Sequence, residues 1–283
     1  MLGSAWAGKR AVAVGDHGVV LLSDDGGARW RQARTVPVSF TLTSVSFADD
    51  QHGWAVGHGG TVMVTSDGGE TWRVQRVVTA EDRPLFAVHF FDARSGVAVG
   101  LWSLVLVTSD GGETWQEQKL EPMPGAKKAD LNLLGLFAGA EGTLFAAAER
   151  GQVLRSDDRG ATWKYLSTDY KGSLWCGSVL PDGGMLVGGQ RGTLLRSDDH
   201  GQTWKTVPLD TKSSITSISA ESGGVTLVGL DGLVARSRDG RKFTLETRPD
   251  GVAITSALAP QAGKGGRALL FTRRGVEGGS GRH

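Results

Sequence analysis

The chain carries a single cysteine, Cys176, among 283 residues. That excludes an internal disulfide framework and every cysteine-rich zinc pattern. Tyrosine is almost absent, with only Tyr165 and Tyr170, and proline is limited to 8 residues. Neither sign of charge dominates: Lys+Arg 31 against Asp+Glu 30 leaves a net charge of +1. This removes the global electrostatic case for nucleic acid or an anionic membrane surface as a partner. Apolar runs are short, Val19 to Leu22 being typical, and none approaches the roughly 18 residues of a membrane-spanning helix. Met1 to Arg10 places no apolar segment ahead of a cleavage site, so no signal peptide is visible. What the chain has in excess is glycine, 43 residues or about twice the usual share. With hydrophobics still at 39%, a core can be buried and the chain is not disordered.

One octet recurs along the sequence. It appears as Ser23-Asp24-Asp25-Gly26-Gly27-Ala28-Arg29-Trp30, again at Thr65 to Trp72, and again at Thr108 to Trp115. Further copies run from Ser156 to Trp163 and Ser197 to Trp204, followed by a shortened one, Ser237 to Phe243. Its aspartates are Asp25, Asp67, Asp110, Asp158, Asp199 and Asp239, at spacings of 42, 43, 48, 41 and 40. Within a period the turn signals separate four short strands, which in the second unit are 42–47, 53–57, 61–65 and 71–77. Four strands in each roughly 40 to 45 residues are the mark of a propeller blade. No amphipathic helical period competes with that reading.

The octet sits in the hairpin between third and fourth strands. Its carboxylate can accept bonds from turn amides and from the Ser/Thr hydroxyl two residues before it, while glycine takes the positive φ that the turn demands. The tryptophan can then cover the turn and pack between blades. These features resemble the Asp-box, or BNR, repeat. Remnant strands at 254–260, 267–272 and 275–276 add a further unit after the sixth octet. The expected fold is therefore all-β: a seven-bladed β-propeller with four-stranded antiparallel blades, six Asp-box hairpins and an incomplete last blade. The expected organisation is one propeller domain over 1–276 and a flexible glycine-rich tail over 277–283.

A residue repeated in every blade serves the blade, so the octet aspartates and tryptophans are read as structural. Binding is expected on the opposite face, where turns between second and third strands surround the axis. Those turns hold His17, His58, Trp102, Arg150, Arg191, Asp231 and the pair Arg273 and Arg274. Arginine supplies forked charged hydrogen bonds and tryptophan a large rigid contact area, so these eight are the candidate partner-binding residues. The connections between blades add Arg83, Lys127, Lys128, Lys171, Lys212 and Arg248, partly balanced by Glu81, Asp82, Asp130, Asp169 and Asp210. The longest connection, Glu121 to Lys128, reads as a contact loop. His17 and His58 offer two imidazoles but no third ligand, so no metal and no cofactor is expected.

Asp-box repeats also occur in sialidases and other glycoside hydrolases, which makes a hydrolase or a carbohydrate-binding propeller the alternative. Such catalysis needs paired carboxylates, or a tyrosine nucleophile with an arginine cluster. The candidates are Asp16, Glu149 and Asp231, with Tyr170. A closer resemblance rests on Val12 to Gly15, Gly96 to Ser103, Gly172 to Trp175, Val187 to Gly192 and Ser213 to Thr216. These segments are similar to the photosystem II stability and assembly factor-like family. The resemblance implies a non-catalytic scaffold, working outside the cytoplasm, that grips a membrane-associated protein through an arginine-bearing surface. It carries partner binding onto Arg150, Arg191, Arg273 and Arg274, and a monomer that does not span the membrane is expected.

Overall fold

The computed structural model describes residues 1–81, 83–221, 223–261 and 267–276. The expected tail at 277–283 and Asp82 lie outside them. Seven antiparallel sheets follow one another along the chain, six with four strands and the last with three among the described residues. Their inner strands are Gly3–Ala7, Leu42–Phe47, Leu85–Phe90, Leu133–Ala138, Leu174–Val179, Ile215–Glu221 and Ile254–Leu258. Each pairs in sequence order with a second, a third and, in blades 1 to 6, an outer strand. Helical structure among the described residues is confined to three-residue 3-10 turns. The chain is thus the expected seven-bladed propeller.

The strand sequences explain why the blades stack. Second strands such as Gly53–Gly57 and Gly96–Gly100 are buried at every position, because both of their faces meet protein. The two-residue alternation of a strand divides its side chains between two neighbours. Val97 and Val99 pack with Leu133, Leu144 and Ala146 of blade 4, whereas Ala98 between them packs with Trp54, Val56 and Val62 of blade 2. The core is accordingly a series of layers between successive blades. Outer strands such as Arg73–Arg76 are largely exposed at their start and carry the charge.

The Asp-box hairpins form as expected. In blade 3 the Asp110 carboxylate accepts bonds from Thr108 Oγ1 (2.8 Å), Thr114 N (3.0 Å) and Thr114 Oγ1 (2.6 Å), and Thr108 Oγ1 in turn accepts from Gly112 N (2.9 Å). Blade 4 repeats the set around Asp158, and there Trp163 Nε1 also donates to Gly160 O at 3.0 Å. Asp239 of the shortened copy differs. Its carboxylate accepts from Arg241 N and Lys242 N, two and three residues on, in place of a residue four on. Across the blades, Trp30 meets Phe271 of blade 7 edge to face at 5.6 Å. Ring closure also uses bonds between the first and last blades: Met1 N donates to Thr272 O (2.7 Å), Trp6 Nε1 donates to Ala259 O (2.8 Å), and Ser4 and Ser256 share a hydroxyl bond at 2.8 Å.

Candidate protein-binding face

Antiparallel blades place the Asp-box hairpins on one face and the turns between second and third strands on the other. In blades 1 to 6 that turn has three residues: Asp16–Gly18, His58–Gly60, Leu101–Ser103, 149–151, Gln190–Gly192 and Leu230–Gly232. Its last two positions are both left-handed. The third is dictated by crowding, since a Cβ on Gly18, Gly151 or Gly192 would stand 2.0, 1.8 or 2.3 Å from a carbonyl oxygen of the connection leaving the blade. Only blade 3 departs, with Ser103, whose Oγ and N are taken up by the backbone of Leu131.

The second position is free of that constraint, and there the chain departs from what the backbone prefers. Glycine would suit a positive φ, yet only blade 2 uses it, at Gly59. The others place His17 (φ 56), Trp102 (φ 53), Arg150 (φ 56), Arg191 (φ 56) and Asp231 (φ 55) there, all of them exposed. Non-glycine residues in this region cost of order 1 kcal/mol each, and such strain tends to gather at binding and switch sites. The turns therefore present a ring of large or charged tips at the expense of local stability.

The structure sorts the eight expected residues within this ring. Five occupy the left-handed tips. His58 is exposed but sits one position earlier than His17, at the start of its turn, so the two imidazoles are not equivalent. Arg273 and Arg274 form a two-residue turn, not a three-residue one, with Thr272 paired to Gly275. Among the described residues no group of three or more His, Cys, Asp or Glu is placed to hold a metal ion. Sequence reasoning missed Phe40, 37% exposed in the connection before blade 2, where its ring lies against Gly59. Trp102 is the most exposed large hydrophobic residue, at 59%.

Most carboxylates of this face are engaged. Asp130 pairs with Arg150 at 3.3 Å, Glu149 accepts from Asn132 N and Nδ2 at 3.0 Å, and Asp231 accepts from Ser213 Oγ at 2.8 Å. Asp16 accepts from Thr41 Oγ1 at 3.2 Å. Each bond ties a turn to a neighbouring connection. Arg191 has a tethered backbone, its N donating to Ser214 Oγ at 3.1 Å, and among the described residues its guanidinium makes no ion pair. Both tyrosine hydroxyls donate to backbone carbonyls, Tyr165 to Glu121 O (2.8 Å) and Tyr170 to Gln190 O (3.3 Å).

Inside the ring the inner strands enclose an axial cavity of about 450 Å³. Phe86, His89, Leu134, Trp175 and Cys176 line it together with several serines. Burial pushes the His89 imidazole down to about 4, so it is neutral at neutral pH, and pushes the Cys176 thiol up to about 12. A neutral imidazole and a protonated thiol carry no charge into the channel.

The family model for photosynthesis system II assembly factor YCF48 matches residues 30–183, more than half of the chain. The chain belongs to the YCF48 family. A BNR/Asp-box repeat model matches residues 195–206, which span the fifth octet. Among solved structures, YCF48 bound to D1 peptide aligns with a TM-score of 0.76 at 20% identity, covering 97% of this chain and 91% of that one. YCF48 from Cyanidioschyzon merolae aligns at 0.75 with 18% identity, covering 97% and 93%. The RRP9 WD40 repeats reach 0.71 at 13% identity, covering 99% and 88%. At these identities the structural likeness carries the propeller fold, and the family rests on the sequence model. No curated protein matches the chain in sequence.

Proposed function

We propose that this YCF48-family chain is a non-enzymatic, protein-binding assembly factor for a membrane-associated protein, and that residues 1–276 act as one rigid propeller. The observation that carries this reading is the ring of exposed left-handed tips. Residues that weaken the fold there, and that belong to the types favoured at protein interfaces, find their use in a partner. The related YCF48 structure bound to D1 peptide supports a polypeptide as the partner class. In this proposal His17, His58, Trp102, Arg150, Arg191, Asp231, Arg273 and Arg274 contact the partner, and closed blades hold them in place before binding, which lowers the ordering cost. The setting would be extracytoplasmic, on the lumen or periplasmic side of the membrane. No helix among the described residues is long and apolar enough to cross a membrane.

The test is a pull-down from detergent-solubilised membranes of the source organism, comparing wild type with Arg150→Glu, Arg191→Glu. The expected result is a membrane protein captured by wild type and lost from the double variant, with an unchanged circular dichroism spectrum. Equal capture by both forms, or capture of nothing by either, would refute the proposal.

A further inference from the structure

In blades 2 to 7 the inner strand carries a one-residue register shift near the turn face, at Thr43, Phe86, Leu134, Trp175, Thr216 and Thr255. Threonine at this position joins neighbouring blades. Thr43 Oγ1 donates to Leu85 O of the next blade at 2.8 Å, and Thr216 Oγ1 donates to Ile254 O at 2.6 Å. Thr255 Oγ1 donates likewise to Met1 O. Blades 3, 4 and 5 abandon this bond in a row, because Phe86, Leu134 and Trp175 have no hydroxyl. These side chains are half-buried and line the axial cavity. Neither change helps the fold: an interblade hydrogen bond is lost, and apolar area faces a channel.

The turns of the same three blades are hydrogen-bonded to the chain two residues before these positions, Glu149 N of blade 4 donating to Asn132 O at 3.2 Å. Leu101 N donates to Pro84 O, two residues before Phe86, and Trp102 N donates to Asn132 Oδ1 (3.1 Å), two residues before Leu134. Gln190 N donates to Ser173 O, two residues before Trp175, and the adjoining Arg191 N donates to Ser214 Oγ of the next connection. One sector therefore combines an apolar rim, an exposed tryptophan and a guanidinium with no ion-pair partner among the described residues. Arg150, by contrast, already spends its charge on Asp130.

We infer that blades 3 to 5 form a subsite that takes a bulky apolar side chain from an extended segment of the protein partner. Phe86, Leu134 and Trp175 receive that side chain, and Arg191 holds a neighbouring carboxylate of the same segment. This rests on the protein-binding reading above and adds the chemistry of what is bound. The volume of about 450 Å³ admits one or two large side chains, which an extended segment presents without a fold of its own. Charge complementarity at the Arg191 tip, whose guanidinium makes no ion pair among the described residues, favours a carboxylate.

A random-peptide phage library panned on the full chain tests the inference. Enriched peptides are expected to set Leu, Ile, Phe or Trp beside Asp or Glu. By fluorescence anisotropy, a synthetic enriched peptide is expected to bind Phe86→Thr, Trp175→Thr at least about tenfold more weakly, the loss of one buried apolar contact. Threonine is what blades 2, 6 and 7 carry at this register, so the substitution follows the repeat. Arg191→Gln is expected to weaken binding and flatten its salt dependence. On the wild-type chain, a photo-leucine at the apolar position is expected to crosslink to Phe86, Leu134 or Trp175, a readout that needs no variant to fold. Absence of enrichment, peptides without the apolar-acidic pair, unchanged affinity in the variants or crosslinks to the Asp-box face would each overturn the subsite. Membrane capture that survives Phe86→Thr, Trp175→Thr would leave the assembly-factor reading standing and remove the subsite alone.

Discussion

Arg191→Gly separates the two demands on the turn face, because it should hold or raise stability while reducing partner capture. Arg191 lies at φ 56 and ψ 37, where a side chain costs about 1 to 2 kcal/mol. Gly59 occupies the same place in blade 2 at φ 64 and ψ 22, so the turn accepts glycine. Glycine gives back about 0.5 to 1 kcal/mol through the greater freedom of the unfolded chain. The guanidinium makes no ion pair among the described residues, and the backbone bond from Arg191 N to Ser214 Oγ survives substitution. The net expectation is a gain between about 0 and 1.5 kcal/mol, or an upward shift of a few degrees in Tm for a chain of this size. Arg191→Ala removes the same side chain but keeps a Cβ in the left-handed region, and should be less stable than Arg191→Gly. Urea unfolding followed by circular dichroism measures both, and the membrane pull-down measures capture. A loss of more than about 1 kcal/mol on Arg191→Gly would show that the side chain supports the fold. Full capture by Arg191→Gly would refute its role in binding.

The opposite face should behave in the opposite way. Asp110→Ala removes the acceptor for Thr108 and Thr114, so Tm should fall while capture is retained, and reduced affinity at unchanged Tm would contradict the structural role of the Asp-box. Acid should loosen the same hairpins. Arg29 N holds the Asp25 carboxyl at about 2, and the threonines after Asp110 and Asp199 do the same for those groups. The unfolded value is about 3.9, so this contribution is complete above about pH 4 and is lost as pH falls towards 2. Urea midpoints should drop across that window, less steeply in Asp110→Asn, and a flat profile down to pH 2 would exclude the effect.

The Asp-box was legible in the sequence because its bonds are local. Ser or Thr, Asp and the residue four beyond it meet within one hairpin, so spacing alone implies geometry. The blade count followed from the same periodicity, and the sixth hairpin was marked as different by its missing residue. The division of side chains between neighbouring blades was implicit in strands such as Gly96–Gly100, although it took the stacked sheets to show which residue faces which neighbour.

The sequence by itself determined the repeat, the class of fold and the turns that carry unlike residues, since each depends on contacts a few positions apart. It did not distinguish His58 from His17, because the left-handed tip is defined by φ and not by residue type. Nor did it single out Phe86, Leu134 and Trp175, which read as ordinary apolar residues of inner strands. Their common position appears only once the register shift is seen beside Thr43, Thr216 and Thr255. Closure of the ring was likewise a tertiary decision: Trp6 and Ala259 are 253 residues apart in sequence, and only the accumulated rotation of seven blades brings them within a hydrogen bond.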